Sequence, residues 1–88
     1  MSYALELRAD SQRRFRALPI DVQESLLDLL EELADTAAPT TLSINEPIEQ
    51  HRLTYKDKTS LVQVHFSVKY DHLIRRLTVF NLWYVARI

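Results

Sequence analysis

Seven of the eleven basic side chains of this chain lie after residue 50: Arg52, Lys56, Lys58, Lys69, Arg75, Arg76 and Arg87. Only Asp57 and Asp71 oppose them, and all three histidines, His51, His65 and His72, fall in the same stretch. Clustered cations neutralise phosphates, and an imidazole titrating near neutrality can take or give a proton. Together they suit the handling of a polyanion and acid–base chemistry upon it. The first fifty residues reverse the sign, with ten acids against four arginines, a net of −6, where the remainder carries +5. The overall charge of −1 hides that split. One acidic layer and one basic layer in a small protein leave one face suited to polyanions, or to a partner that covers it.

Several chemistries are excluded at the outset. There is no cysteine, hence no disulfide and no thiolate metal site. No pair of histidines has helical metal-ligand spacing, so no metal or other cofactor is expected. Glycine is absent, which removes every glycine-dependent phosphate loop and leaves tight turns to Asn, Asp, Lys and Ser. No apolar run approaches the roughly 20 residues of a membrane span. The N-terminus lacks the basic-then-apolar order of a signal peptide. The expectation is a soluble cytoplasmic protein without membrane contact. Its 88 residues, 47% of them hydrophobic, suffice for a single domain, 1–88, with a real core.

The elements that must position these residues follow from periodicity. Tyr3–Leu7 alternates and reads as a first strand. Asp10 is placed to cap a short helix through about Leu18, with Phe15 and Leu18 on one face, and Pro19 interrupts. Asp21 and Glu24 have capping-box spacing. From there Val22, Leu26, Leu29, Leu30 and Leu33 recur at the helical period, predicting an amphipathic helix over Ile20–Asp35 with an acidic outer face. Thr36–Pro47 reads as an extended connection. His51–Lys56 alternates as a strand. Lys56–Thr59 turns. Ser60–Val68 forms a β-branched strand, with Val62, Val64, Phe66 and Val68 on one face and Leu61, Gln63, His65 and Ser67 on the other. Lys69–Asp71 turns again, and His72–Phe80 makes a third strand, with Leu73, Leu77 and Val79 on one face and Ile74 and Phe80 on the other. Trp83–Ile88 is a tail or a last strand. Helices followed by a meander indicate α+β, an N-terminal strand and two helices packed on an antiparallel sheet of three to five strands.

Each candidate residue carries a structural use beside the functional one. Arg75 and Arg76, adjacent in a strand, point to opposite faces, so one faces RNA or an acidic partner, or both are solvated charges that blunt an edge. Lys56 and Lys58 flank a turn and suit a phosphate backbone, or simply solubility. His65, mid-strand on the polar face, is the best placed of the histidines for acid–base work. Trp83 and Tyr84 offer stacking on a base or an anchor for a partner. A small domain seldom leaves its only Trp exposed, so the expectation is that Trp83 covers the end of the core. The arginines Arg13, Arg14 and Arg16 are expected to pair in part with the acidic stripe.

The initial strand, the segment RRFRALPIDVQESLLDLLEEL and the closing meander HRLTYKDKTSLVQVHFSVKYDHLIRRLTVF together resemble the RelE/ParE superfamily, the toxins of bacterial type II toxin–antitoxin modules. The resemblance covers nearly the whole chain. It implies a RelE-like fold, a cognate antitoxin as partner, and, for RelE-like members, metal-independent cleavage of mRNA at the ribosome. In that reaction an RNA 2′-hydroxyl attacks the adjacent phosphate, which calls for proton donors and acceptors and for cations at the phosphorane. The family's basic strand residues and C-terminal tyrosine map here onto Arg52 and Tyr84, with His65 as a further acid or base. Lys56, Lys58, Arg75, Arg76 and Arg87 become candidates for the RNA backbone. Thr54 stands where a second lysine is common, Leu61 where active members often have arginine, and Phe80-Asn81-Leu82 where a Gly-basic-Arg run is usual. These departures bring forward two alternatives: a ParE-like, non-enzymatic inhibitor of DNA gyrase, and a non-toxic relative that binds a protein.

Overall fold

The computed structural model describes residues 3–37 and 48–87. Along the chain run β1 (Ala4–Leu7), α1 (Ala9–Ala17), α2 (Ile20–Thr36), β2 (Ile48–Lys56), β3 (Leu61–Asp71) and β4 (Arg76–Arg87). The strands form one sheet in the order β1-β4-β3-β2. β2, β3 and β4 are the expected antiparallel meander, whereas β1 lies parallel to β4, so the sheet is mixed rather than antiparallel throughout.

The second helix starts at Ile20 as expected, but neither helix is capped as expected. Neither has a side-chain cap; α1 begins after Arg8 and α2 after Pro19. Asp10 and Asp21 therefore sit inside the first turns, where a negative charge still favours the positive helix end. Leu18, ahead of the proline, is extended at ψ 152°, which ends α1. The Gln23 side-chain amide donates to the carbonyls of Leu18 (2.8 Å) and Arg16 (3.2 Å), tying the two helices at this elbow.

The inner face of α2 is the line Val22, Leu26, Leu30 and Ala34, all buried. It meets Val62, Val64, Phe66 and Val68 of β3 and Leu77, Val79 and Leu82 of β4 in one core. Burying each large side chain stabilises the fold by about 1.5–3 kcal/mol. The outer face works against the helix. Glu24, Asp28, Glu31, Glu32 and Asp35 are exposed or nearly so, and the last turn has no basic residue. Acids four apart repel by roughly 0.2–0.5 kcal/mol each, and those near the C-terminus oppose the helix dipole. Core contact outweighs these terms.

The second half departs from the expected boundaries in three places. Lys69–Asp71 continue β3, and the turn is His72–Arg75, with Arg75 in the left-handed region at φ 54°. Leu73 and Ile74 are thus exposed at the tip (93% and 54%) rather than facing the sheet. His72 packs against Tyr3 and Tyr70, and its Nδ1 shares a 2.8 Å hydrogen bond with the Tyr3 hydroxyl. β4 does not stop at Phe80 but continues to Arg87 through a bulge. His65 pairs with Trp83 but Ser67 pairs with Phe80, so one extra residue enters β4. Asn81 supplies it at φ 52°, taking the place a glycine would usually hold. The connection expected over Thr36–Pro47 lies outside the described residues from 38 onward, and Thr36 itself closes α2. No helix among the described residues is long and apolar enough to cross a membrane.

Substitutions at four positions check this account. Leu30→Ala should lower unfolding stability by about 2–5 kcal/mol in urea titrations, while Asp35→Lys should raise it by about 0.3–1 kcal/mol. Asn81→Gly should be neutral or stabilising, whereas Asn81→Ala should cost about 1 kcal/mol, because alanine keeps the Cβ but lacks the short polar side chain through which asparagine tolerates the left-handed region. Burial first, and then Glu49, push the Tyr70 hydroxyl up from its ordinary 10.0. The folded state favours the neutral phenol, so this stabilisation is complete below pH 10 and is lost as pH rises beyond it. The urea midpoint should fall above pH 10, and Tyr70→Phe should flatten that fall.

Candidate functional site

The sheet has one face under the helices and one open face. Cross-strand partners share a face, so the register assigns each side chain. Val64, buried under the helices, pairs with Leu53 and Tyr84; its neighbour His65 pairs with Arg52 and Trp83 on the open side. Arg52, His65 and Trp83 therefore form one row across β2, β3 and β4. The next rows are Thr54, Gln63 and Val85, then Lys56, Leu61 and Arg87. On the other side of the His65 row lie Gln50, Ser67 and Phe80. The run from Leu61 to His65 spans roughly 13 Å of strand.

Within the central row the His65 imidazole lies flat on the Trp83 indole, with ring centroids 4.0 Å apart and planes 9° from parallel. Trp83 remains 48% exposed. The expectation that it covers the core is overturned, because the extra residue at Asn81 turns every later side chain of β4 to the opposite face. Tyr84 points instead to the helix side, in register with Val64, and is not brought together with Arg52 and His65.

The remaining candidates separate into two regions. Lys56 and Arg87 share the open face with Arg52, and Lys58 is exposed in the adjoining turn, where the Asp57 carboxylate accepts from its amide. Arg75 and Arg76 are at the opposite end, roughly 20 Å along the sheet from the His65 row. They are not two alternating strand residues: Arg75 belongs to the turn, and Arg76 opens β4 with its guanidinium 3.2 Å from Glu6.

Sequence reasoning missed the contribution of α1. Arg13 pairs with Asp10 at 2.6 Å on the surface, but Arg14 does not join the acidic stripe. It donates to the Leu82 carbonyl (2.8 Å), while the buried Ser11 hydroxyl accepts from the Leu82 amide (3.3 Å). Arg8 lies over the Phe80 ring, 5.0 Å from its centroid. Two arginines of the acidic half thus stand beside the basic face. A cleft of about 410 Å³ opens there, with Arg14, Gln50, His65, Ser67, Asn81 and Trp83 in its wall. A smaller depression of about 150 Å³ lies among Leu61, Gln63, Val85 and Arg87. Among the described residues no group of three His, Cys, Asp or Glu side chains is placed to hold a metal ion.

No protein-family model matches the sequence, and a search of curated proteins finds no match. The fold is similar to that of a double Arg-to-Ala mutant of the E. coli toxin RelE in its free state, with a TM-score of 0.61 over 93% of this chain and 82% of that one, at 16% sequence identity. The chain therefore has a RelE-like fold. Ser11→Ala, which leaves the Leu82 amide without its acceptor, should cost about 1–3 kcal/mol in chemical denaturation and weaken the exchange protection of that amide.

Proposed function

We propose that this protein is the toxin of a toxin–antitoxin pair and that its open sheet face binds and cleaves RNA. The observation that carries this reading is the placement of Arg52, Lys56, His65 and Arg87 on one solvent-facing surface, with Trp83 stacked among them. Phosphates running along β2 and β4 would meet Lys56, Arg87 and Arg52 in turn, with Lys58 at the adjoining turn. Arg75 and Arg76 would lie beyond a short bound segment, at the far end of the sheet.

The chemistry follows from the row. The RNA 2′-oxygen attacks the neighbouring phosphorus, the bond to the 5′-oxygen breaks, and a 2′,3′-cyclic phosphate forms. One group must take the 2′-hydroxyl proton and one must protonate the departing 5′-oxygen. His65 is the imidazole in reach of the cationic row, and its stack on Trp83 fixes the ring plane. Arg52, its cross-strand neighbour, supports the charge that builds on the phosphorane oxygens. In this scheme His65 takes the part that the family resemblance gives to Tyr84, which lies on the other face. No metal or cofactor is required.

A cognate antitoxin is the expected protein partner, and a small DNA-binding protein encoded beside this gene would be that antitoxin. The exposed apolar side chains Ile20 and Leu27 of α2 suit a partner that covers apolar surface. The test is sudden induction of this chain alone in cells, following methionine and thymidine incorporation. Protein synthesis should stop first, with Arg52→Ala and His65→Ala each restoring it at equal protein levels. Arrest of DNA synthesis first would replace this reading with gyrase inhibition, and no arrest of either would leave a protein-binding relative.

A further inference from the structure

The turn between β3 and β4 carries apolar side chains where a turn usually carries polar ones. Leu73 is 93% exposed and Ile74 54%, and Arg75 and Arg76 follow them. This tip is held in shape. The Asp71 carboxylate accepts from the amides of Leu73 (3.1 Å) and Ile74 (3.4 Å), and His72 at its base stacks on Tyr70. A surface ordered before it meets a partner loses less entropy on binding. Arg76 is engaged by Glu6, whereas the Arg75 guanidinium has no acidic partner among the described residues.

The outer side of α2 offers the converse. Ile20 (66% exposed) and Leu27 (37%) share one helical stripe with the exposed acids Glu24 and Glu31. The stripe sets two apolar side chains among carboxylates; the tip sets two beside a cation. The tip is out of reach of its own stripe. The Tyr3 amide donates to the Ala34 carbonyl (3.0 Å) and the Tyr3 hydroxyl bonds His72, so the tip stands by the C-terminal end of α2. Leu27 and Ile20 lie roughly 10 and 20 Å back along the helix axis.

We infer that the β3–β4 tip of one copy docks on the α2 stripe of a second copy of this chain, with Leu73 and Ile74 covering Ile20 and Leu27 while Arg75 meets Glu24 and Glu31. Charge and apolar content match across the two surfaces, and the chain displays both. The contact is heterologous, one patch on a different one, so a pair of copies keeps one free tip and one free stripe unless a ring closes. A hairpin tip on one helix is a small interface, so association is weak, and its exposed charges make it salt-sensitive. Neither surface includes Arg52, His65 or Trp83, so the contact is independent of the RNA reading. Ile20 and Leu27 are also the side chains offered above to an antitoxin, and a second copy would cover them only while that partner is absent.

Sedimentation velocity of the full chain over a range of concentrations tests this. At low salt the average sedimentation coefficient should rise with concentration, and added salt should return it to the monomer value. Leu73→Asp, and separately the pair Ile20→Gln with Leu27→Gln, should each leave the chain monomeric. These side chains are exposed, so far-ultraviolet circular dichroism should not change. Mixed in equal amounts, the two variants should form a one-to-one dimer and nothing larger, because each retains the half that the other lacks. A chain that stays monomeric at every concentration would overturn the inference. Association that survives either variant, or a mixture that stays monomeric, would overturn it as well.

Discussion

The bulge in β4, and the two hydrogen bonds that hold it, determine what the rest of this protein presents to solvent. Leu82 gives its amide to Ser11 and takes a guanidinium N–H from Arg14, at the point where β1 has ended and β4 would otherwise have an open edge. α1 thus acts as the missing neighbour of the strand. The backbone groups are satisfied without a further strand, and the apolar side chain of Leu82 is free to turn into the core. A buried amide without such a partner would cost more than a typical hydrogen bond returns. Because side chains alternate with a period of two, the one residue inserted at Asn81 moves the whole C-terminal half of β4 to the opposite face. Leu77, Val79 and Leu82 all reach the core, and Trp83 emerges beside His65.

That shift concentrates the chemistry. Without it, Trp83 would stand opposite Val64 and compete for space under the helices, and Tyr84 would stand in the row of Thr54 and Gln63. With it, the open face carries a histidine stacked on an indole, with Arg52 at one end of its row and amides one row away. The face is made of short-range features, cross-strand neighbours about 4.5–5.5 Å apart, on a rigid antiparallel scaffold. Residues of this kind keep their spacing whatever the surrounding loops do. The similarity to the RelE mutant concerns the scaffold alone.

The acidic half has a different task. α2 holds its place through Val22, Leu26, Leu30 and Ala34, against the mutual repulsion of its own surface. Keeping its five outer acids on the far side of the sheet from Arg52, Lys56 and Arg87 avoids neutralising the open face from within. The two layers therefore keep opposite fields, at some cost to helix stability. Where an acid and a base do meet across the sheet, at Glu6 and Arg76, they lie at the far end from the cleft.

Much of this was legible from residue order alone. The apolar spacing of Val22, Leu26 and Leu30 could only be a helix, and Val62, Val64, Phe66 and Val68 could only be one face of a buried strand, because those periods are set by local backbone geometry. Charge sorting likewise exposed a basic layer, since net charge is a property of composition. Alternation put Arg52 and Lys56 on one side of their strand and His65 on the polar side of the next; that the two sides coincide was decided by the register. What residue order left undecided is where alternation breaks. Asn81 in a left-handed conformation looks like any asparagine until Ser11 and Arg14, about seventy positions earlier in the chain, fix the strand at Leu82. The same tertiary contacts moved Trp83 from expected core to exposed platform and carried Arg14 from the acidic half to the edge of the cleft. Leu73 and Ile74 lie in a turn rather than a strand for a local reason: the Asp71 carboxylate accepts from both their amides. The helices and the sheet were determined by short-range periodicity; the composition of the site was decided by contacts between segments far apart in the chain.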